Sequence, residues 1–182
     1  MPKEFITPET MLRDSFSLAK QIHDSGFNPE VLLVLWRGGT PVGIVIHEFL
    51  VYQGTQLHHA VIKAESYTGI DQRTEPRIEN MASVLAMIRP GARVLVVDDI
   101  FDTGRTMEKV KKELIAKTQD IRLAALYWKP GSAQVPLKPD YFIRAASGWI
   151  VFPHEIVGLT AKEIKMKGKF IHDLVLGGKD AT

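Results

Sequence analysis

The sequence predicts an α/β fold with a mainly parallel central sheet flanked by helices. The runs Val31 to Leu35 and Arg93 to Val97 are aliphatic almost throughout, as strands buried on both faces are. Stretches of helical periodicity alternate with such runs along the chain. The 182 residues are 45% hydrophobic and 24% charged, enough to bury the sizeable core of one globular domain.

In chain order, Thr7-Pro8-Glu9 reads as a helix start, with Thr7 as N-cap, Pro8 in the first helical position and Gly26 placed to end the helix. Leu12, Phe16, Ala19 and Ile22 fall together and are expected to form its buried face. The strand Val31 to Leu35 leads through Trp36-Arg37-Gly38-Gly39-Thr40 into a helix from about Pro41 to Tyr52. A strand near Leu57 to Lys63 follows, then a helix around Ile78 to Ile88 that Pro90-Gly91 breaks. The strand from Arg93 precedes a helix from about Thr106 to Thr118 and a strand from Ile121 to Tyr127.

Two stretches fit this alternation poorly. Ala64 to Asn80, AESYTGIDQRTEPRIEN, is polar and long for a connection, which is the character of a disordered loop or a functional lid. Lys129 to Pro153 is broken by Pro130, Gly131, Pro136, Pro139 and Gly148 and carries Tyr141, Phe142, Trp149 and Phe152. It reads as a small irregular subdomain. At the C-terminus, Phe170-Ile171 and Leu174-Val175-Leu176 are apolar enough to pack against the domain or a second subunit.

Composition sets several chemistries aside. The 23 basic residues nearly balance 21 acidic ones, and Lys109, Lys111 and Lys112 alternate with apolar positions and Glu113. That pattern is a solvated helix face rather than a nucleic-acid surface. Without cysteine there is no disulfide, thiolate metal site or cysteine nucleophile. MPKEFITPETMLRD lacks an apolar leader segment and no run approaches a membrane span, so a soluble cytoplasmic protein is the expectation. His58-His59 and His154 fit no common metal-ligand spacing.

The chemistry concentrates in VLVVDDIFDTGRT, residues 94–106. Open parallel sheets bind ligands at the carboxyl ends of their strands, and Asp98 and Asp99 stand at such an end. In a regular strand their side chains point to opposite faces, so one meets a polyhydroxyl or metal-bound ligand directly and the other through water. Asp102-Thr103-Gly104-Arg105-Thr106 then joins strand to helix. Amides at a helix N-terminus and the Thr103 and Thr106 hydroxyls suit a phosphate, and Gly104 permits a close backbone approach. Carboxylates beside that site repel the anion unless sugar hydroxyls or a divalent cation offset the charge. Read alone, the segment leaves two alternatives open: Asp102 as a helix cap, or a phosphoacceptor receiver domain.

Taken whole, VLVVDDIFDTGRT resembles the phosphoribosyl pyrophosphate signature of type I phosphoribosyltransferases. The resemblance covers roughly residues 30–156 and is nearest to the 6-oxopurine enzymes that act on hypoxanthine, guanine or xanthine. It implies that Asp98 and Asp99 hold the ribose hydroxyls with Mg2+ nearby, and that Asp102 to Thr106 (Asp102, Thr103, Gly104, Arg105, Thr106) bind the 5'-phosphate. Asp102 would also exchange a proton with purine N7. Trp36, Arg37, Gly38 and Gly39 match the pyrophosphate loop, where a non-proline cis peptide would join Trp36 to Arg37. Ser66 and Tyr67 match the pair in the mobile loop that closes over the site, excluding water from a reactive sugar cation.

Lys129 matches the donor to the purine 6-oxo group, Trp149 the stacking aromatic, and Ile150 a backbone contact to the ring edge. Indole and ammonium suit those tasks on chemical grounds alone. Glu155 matches a carboxylate near a second magnesium. Trp149 and Arg37 replace the phenylalanine or tyrosine and the lysine usual in the hypoxanthine-guanine branch, and so lean toward the microbial xanthine-guanine type. IVGLTAKEI, after Glu155, lacks an arginine that the family often places there.

The implied enzyme transfers a 5-phosphoribosyl group in purine salvage, with Asp102, Arg37 and Tyr67 catalytic. A homodimer or homotetramer, acting on phosphoribosyl pyrophosphate and a purine base with no nucleic-acid or membrane partner, is expected. The alternative is a regulatory protein that senses phosphoribosyl pyrophosphate through the same fold without catalysis.

Overall fold

Residues 3–65, 68–69, 72–73 and 76–177 are described by a computed structural model. In chain order their elements begin β1 (Lys3–Phe5), α1 (Pro8–Asp24), β2 (Val31–Trp36), α2 (Gly39–Tyr52), β3 (His58–Glu65), β4 (Thr68–Gly69), β5 (Gln72–Arg73) and β6 (Arg77–Glu79). They continue with α3 (Met81–Met87), β7 (Val94–Phe101), α4 (Arg105–Leu114), β8 (Ile121–Trp128), a 3-10 turn (Pro130–Ser132), β9 (Tyr141–Ala145), β10 (Trp149–Val151), α5 (Ala161–Met166) and α6 (Lys169–Leu176). The chain gathers into two compact units, Asp14–Ser147 and the pairing of Met1–Arg13 with Gly148–Thr182.

The larger unit is built on a sheet ordered β6-β3-β2-β7-β8-β9, parallel throughout except for β6 at one edge. The aliphatic runs form its middle because every position is buried: Val31 through Leu35 on β2 and Val94 through Val97 on β7. One face packs against α3 and α4 in a core that joins Leu33, Leu35, Ile62, Val84, Val96, Val110 and Leu114. On α2, Gly43 lies so close to Val34 that a Cβ there would overlap its methyl groups, so glycine lets helix and strand meet.

The structure moves several expected boundaries. The helix expected from Ile78 begins at Met81, because Ile78 belongs to β6, paired antiparallel with β3. Asn80, at φ 68°, makes the turn between them, a conformation asparagine tolerates better than most residues. The polar stretch 64–80 thus holds β6 and the short pair β4–β5 rather than one unstructured connection. The Lys129–Pro153 stretch is less irregular than expected, since β9 is an edge strand of the main sheet and β10 pairs in parallel with β1. On α1, Thr7 caps as expected, its Oγ1 accepting from the Thr10 amide at 3.1 Å. The buried face is Met11, Asp14, Ser15, Leu18, Ala19 and Ile22, however, while Leu12 and Phe16 stay about half exposed. Two small polar residues displace them because Asp14 accepts a hydrogen bond of 2.8 Å from the buried Tyr127 hydroxyl.

In the smaller unit, β1 and β10 run parallel with Lys3 opposite Trp149 and Phe5 opposite Val151. Helix α5 starts with a capping box in which Thr160 accepts from the Glu163 amide and Glu163 accepts from the Thr160 amide. Lys3 Nζ reaches the same carboxylate at 2.7 Å and ties β1 to α5. Helix α6 buries no residue and leaves Phe170 and Leu174 exposed. No helix among the described residues is long and apolar enough to cross a membrane.

Candidate active site

Strand β7 outlasts its pairing with β2, which stops at Val97, while its pairing with β8 continues to Phe101. Asp98 and Asp99 therefore sit inside the strand rather than at its end, with the β2 side open. Val94, Val96 and Phe101 share one core, although strict alternation would put Phe101 on the opposite face. The open side is filled by the loop that leaves β2, where Trp36 and Arg37 are joined by the expected cis peptide bond. Gly38 lies directly under the Asp99 carboxylate, and any Cβ there would overlap it. A Cβ on Gly39 would stand 2.7 Å from the Val97 carbonyl oxygen and 3.3 Å from Asp98 Oδ1. Both glycines are thus needed for the loop to reach the acidic pair.

The two carboxylates have different surroundings. Asp98 Oδ1 accepts the Asp99 amide at 2.9 Å, and the Gly39 amide also bonds this carboxylate. Burial, and then the charge of Asp99, push the Asp98 carboxyl well above the usual carboxylate range, and these two amides only partly offset the rise. Asp98 lines a cavity of about 260 Å³ with Ile100, Phe101, Asp102, Thr103, Gly104, Thr106 and Met107, whereas Asp99 faces the Gly38 side.

The far wall of that cavity is the start of α4. Gly104, at φ 78°, is its N-cap and brings no side chain to its first turn. An added Cβ would come within 2.5 Å of both Phe101 and Val135, so that backbone position admits only glycine. First-turn amides of a helix have no intrahelical acceptor, which makes a helix start a place for an anion. Thr103 holds the loop from both sides, its Oγ1 3.4 Å from the Arg105 amide and its carbonyl accepting the Gln134 amide at 2.9 Å.

Asp102 is not a helix cap. Its Oδ2 accepts Nζ of Lys129 at 2.8 Å; Lys129 is 8% exposed, directly after β8. The ion pair joins residues whose separate sequence signals did not announce it, because only the sheet brings the ends of β7 and β8 together. Val135 and Gln134, which hold the Asp102–Thr106 turn, carried no signal either.

Trp149, Ile150 and Glu155 belong to the smaller unit. Trp149 opens β10 with 56% of its surface exposed, Ile150 is buried, and Glu155 Oε2 accepts the Phe152 amide at 2.9 Å. His154 stacks on Phe152 with ring centres 5.9 Å apart. Ser66 and Tyr67 lie outside the described residues. A second cavity, of about 290 Å³, lies between α2 and β3 against Val34, Ile44, His47 and Val61, and holds none of the expected site residues.

A family model described as a phosphoribosyl transferase domain matches residues 6–157. The hypoxanthine-guanine phosphoribosyltransferase of Lactococcus lactis subsp. lactis is 28% identical over 157 residues, covering 85% of this chain and 79% of the relative. The xanthine-guanine phosphoribosyltransferase of Desulfotalea psychrophila is 30% identical over 152 residues, covering 81% and 83%. Among solved structures, a purine phosphoribosyltransferase from Pyrococcus horikoshii matches with a TM-score of 0.70 at 29% identity, over 88% of this chain and 99% of that one.

Proposed function

The chain belongs to the phosphoribosyl transferase domain family, with the fold of the type I enzymes, and from that membership we propose its reaction. A 5-phosphoribosyl group passes from phosphoribosyl pyrophosphate to a ring nitrogen of a 6-oxopurine (hypoxanthine, guanine or xanthine). Pyrophosphate and a nucleoside 5'-monophosphate leave, a step of purine salvage. The observation that carries this reading is the cavity shared by Asp98 and the Thr103-Gly104 turn that opens α4. A carboxylate for hydroxyl groups and a turn for an anion suit the two ends of one sugar phosphate. The purine acceptor is supported by the names of the relatives.

As pyrophosphate departs, the anomeric carbon gains positive charge, so the rate rests on aligning the ribose with its leaving group and countering charge as it develops. Asp98 and Asp99 hold the ribose hydroxyls, and Asp102 to Thr106 hold the 5'-phosphate. The Trp36-to-Gly39 loop holds the pyrophosphate, with Arg37 as its cation. Lys129 donates to the 6-oxo group and in doing so releases Asp102 to take the purine proton. The 6-oxo group gives the buried Lys129 ammonium a new acceptor when Asp102 leaves it, so the charge is not left unpartnered. Trp149 stacks on the base and Ile150 meets its edge through the backbone. Ser66 and Tyr67 keep the part the resemblance implies, excluding water.

The residues fit a divalent cation: two adjacent carboxylates, with Asp98 pushed up by burial and by Asp99, call for positive charge. Asp98 and Asp99 would hold Mg2+, and the resemblance gives Glu155 a share in a second ion. When bound, Mg2+ neutralises the diphosphate. We read the protein as one phosphoribosyltransferase domain over residues 1–182, with an active-site loop at about 64–80 and a base-binding hood at about 129–156. Its assembly is a homodimer or homotetramer and its compartment the cytoplasm.

The test offers purified protein, Mg2+ and phosphoribosyl pyrophosphate to hypoxanthine, guanine, xanthine and adenine in parallel, with pyrophosphate release measured. At least one 6-oxopurine is expected to exceed adenine by about a hundredfold or more, because the adenine 6-amino group offers Lys129 no acceptor. Equal release with adenine would contradict the base assignment. Binding of phosphoribosyl pyrophosphate with no release for any base would describe a sensor.

A further inference from the structure

Lys167 has no part in the reaction described above, yet its ammonium is turned inward. It is the C-cap residue of α5, and Nζ donates to the Phe152 carbonyl at 2.5 Å and stands 3.4 Å from the Pro153 carbonyl oxygen. The same nitrogen lies 5.8 Å from the centre of the Phe5 ring. Burial pushes its pKa down, and the charge of Glu155 opposes that shift. An ammonium is strongly hydrated and its stem loses rotamer freedom when fixed, so a lysine in this position is held by what it touches.

What it touches is one turn. The Phe152 carbonyl also accepts the Glu155 amide at 3.1 Å, and the Phe152 amide donates to Glu155 Oε2 at 2.9 Å. This turn leaves the end of β10, the strand that opens with Trp149 and Ile150. The β1–β10 register ends at Phe5 and Val151, and the Ile6 amide makes one further bond, to the Val151 carbonyl, at 3.0 Å. Where the ladder ends, the ammonium takes over as a donor to the next two carbonyls, and a bond from a charged donor is among the stronger kinds.

We propose that Lys167 is a positioning residue for base recognition: by tying the Phe152–Glu155 turn to the end of α5, it fixes where Trp149 and Ile150 meet the purine. The inference rests on the reading of Trp149 and Ile150 as base contacts, which a parallel variant tests separately. K167M removes the ammonium and keeps most of the stem, while K167R restores a charged donor.

In the full chain, K167M is expected to raise KM for the base about tenfold, the equivalent of about 1.4 kcal/mol. KM for phosphoribosyl pyrophosphate should rise less than KM for the base, by the share Glu155 of the same turn has in the second ion, and K167R should recover most of the loss, since a charged donor is regained. An unchanged KM for the base, or an equal rise for both substrates, overturns the proposal. If K167M does not fold, K167Q carries the same readout with a neutral donor. W149A separates the two claims: a raised base KM in W149A beside a normal one in K167M sinks only the role of Lys167. A normal base KM in W149A sinks the base-contact reading itself, and the inference with it.

Discussion

Asp102 and Lys129 are paired at 2.8 Å, and in the proposed function each makes a bond to the purine that replaces the pair. Asn at position 102 would keep the size and could still accept from Lys129, but its amide cannot take up a proton. Asp102→Asn is therefore expected to lower kcat by about a hundredfold or more, the usual contribution of a positioned general base. KM for phosphoribosyl pyrophosphate should change little, and steady-state kinetics with each substrate varied would show the split. Near-normal kcat would remove Asp102 from proton transfer. Asp102 was legible in the sequence because DTGRT follows an acidic pair. Its bond to Lys129 was not, because it joins the ends of two strands that only long-range pairing makes neighbours. Gly38 and Gly39 were legible as a loop, but their contact with the acidic pair is a property of the assembled sheet.

Among the elements, those with chemical punctuation were read best. Thr7-Pro8 starts α1 and Pro90-Gly91 follows α3 as expected, since caps and breakers act locally. The face of α1 was misread because periodicity favours Leu12 and Phe16, whereas Tyr127 selects Asp14 for the interior. Strand β7 extends past the apolar run because its pairing with β8 continues to Phe101, which keeps the two carboxylates in the strand. Thr160-x-x-Glu163 is a capping box that local sequence can show, and it starts the helix that Lys167 ends. Glu163 adds a pH dependence: Lys3 first, then Thr160, lower its pKa from 4.5 to about 2. A carboxylate depressed in the folded state stabilises it fully above the unfolded pKa and loses that contribution as pH falls through the folded one. The difference in Tm between the wild type and Glu163→Gln is thus expected to be largest near neutrality and to shrink between pH 4.5 and about 2. Thermal unfolding across that range checks it, and a gap independent of pH would deny the ion pair its role.

For the whole molecule, the alternation of apolar runs and helices was enough to reach a mainly parallel α/β fold, because both signals are local. The strand order β6-β3-β2-β7-β8-β9 was not, since nothing local states which runs pair or that β9 joins the edge. The larger unit depends on the fully buried middle of that sheet. Leu33→Ala, at a position with no exposed surface, is expected to cost about 2–5 kcal/mol in urea unfolding, through lost burial and the cavity left behind. A loss well below that range would mean the core closes over the gap. The proposed function rests, at this scale, on one ligand spanning the acidic pair and the Asp102–Thr106 turn while a purine meets Lys129. A single turnover with enzyme in excess over phosphoribosyl pyrophosphate, Mg2+ and the preferred 6-oxopurine tests that most directly. Nucleoside 5'-monophosphate and pyrophosphate are expected in equal amounts, neither forming without the base. Pyrophosphate released without the base, or a bound donor that never yields a nucleotide with any 6-oxopurine, would contradict it.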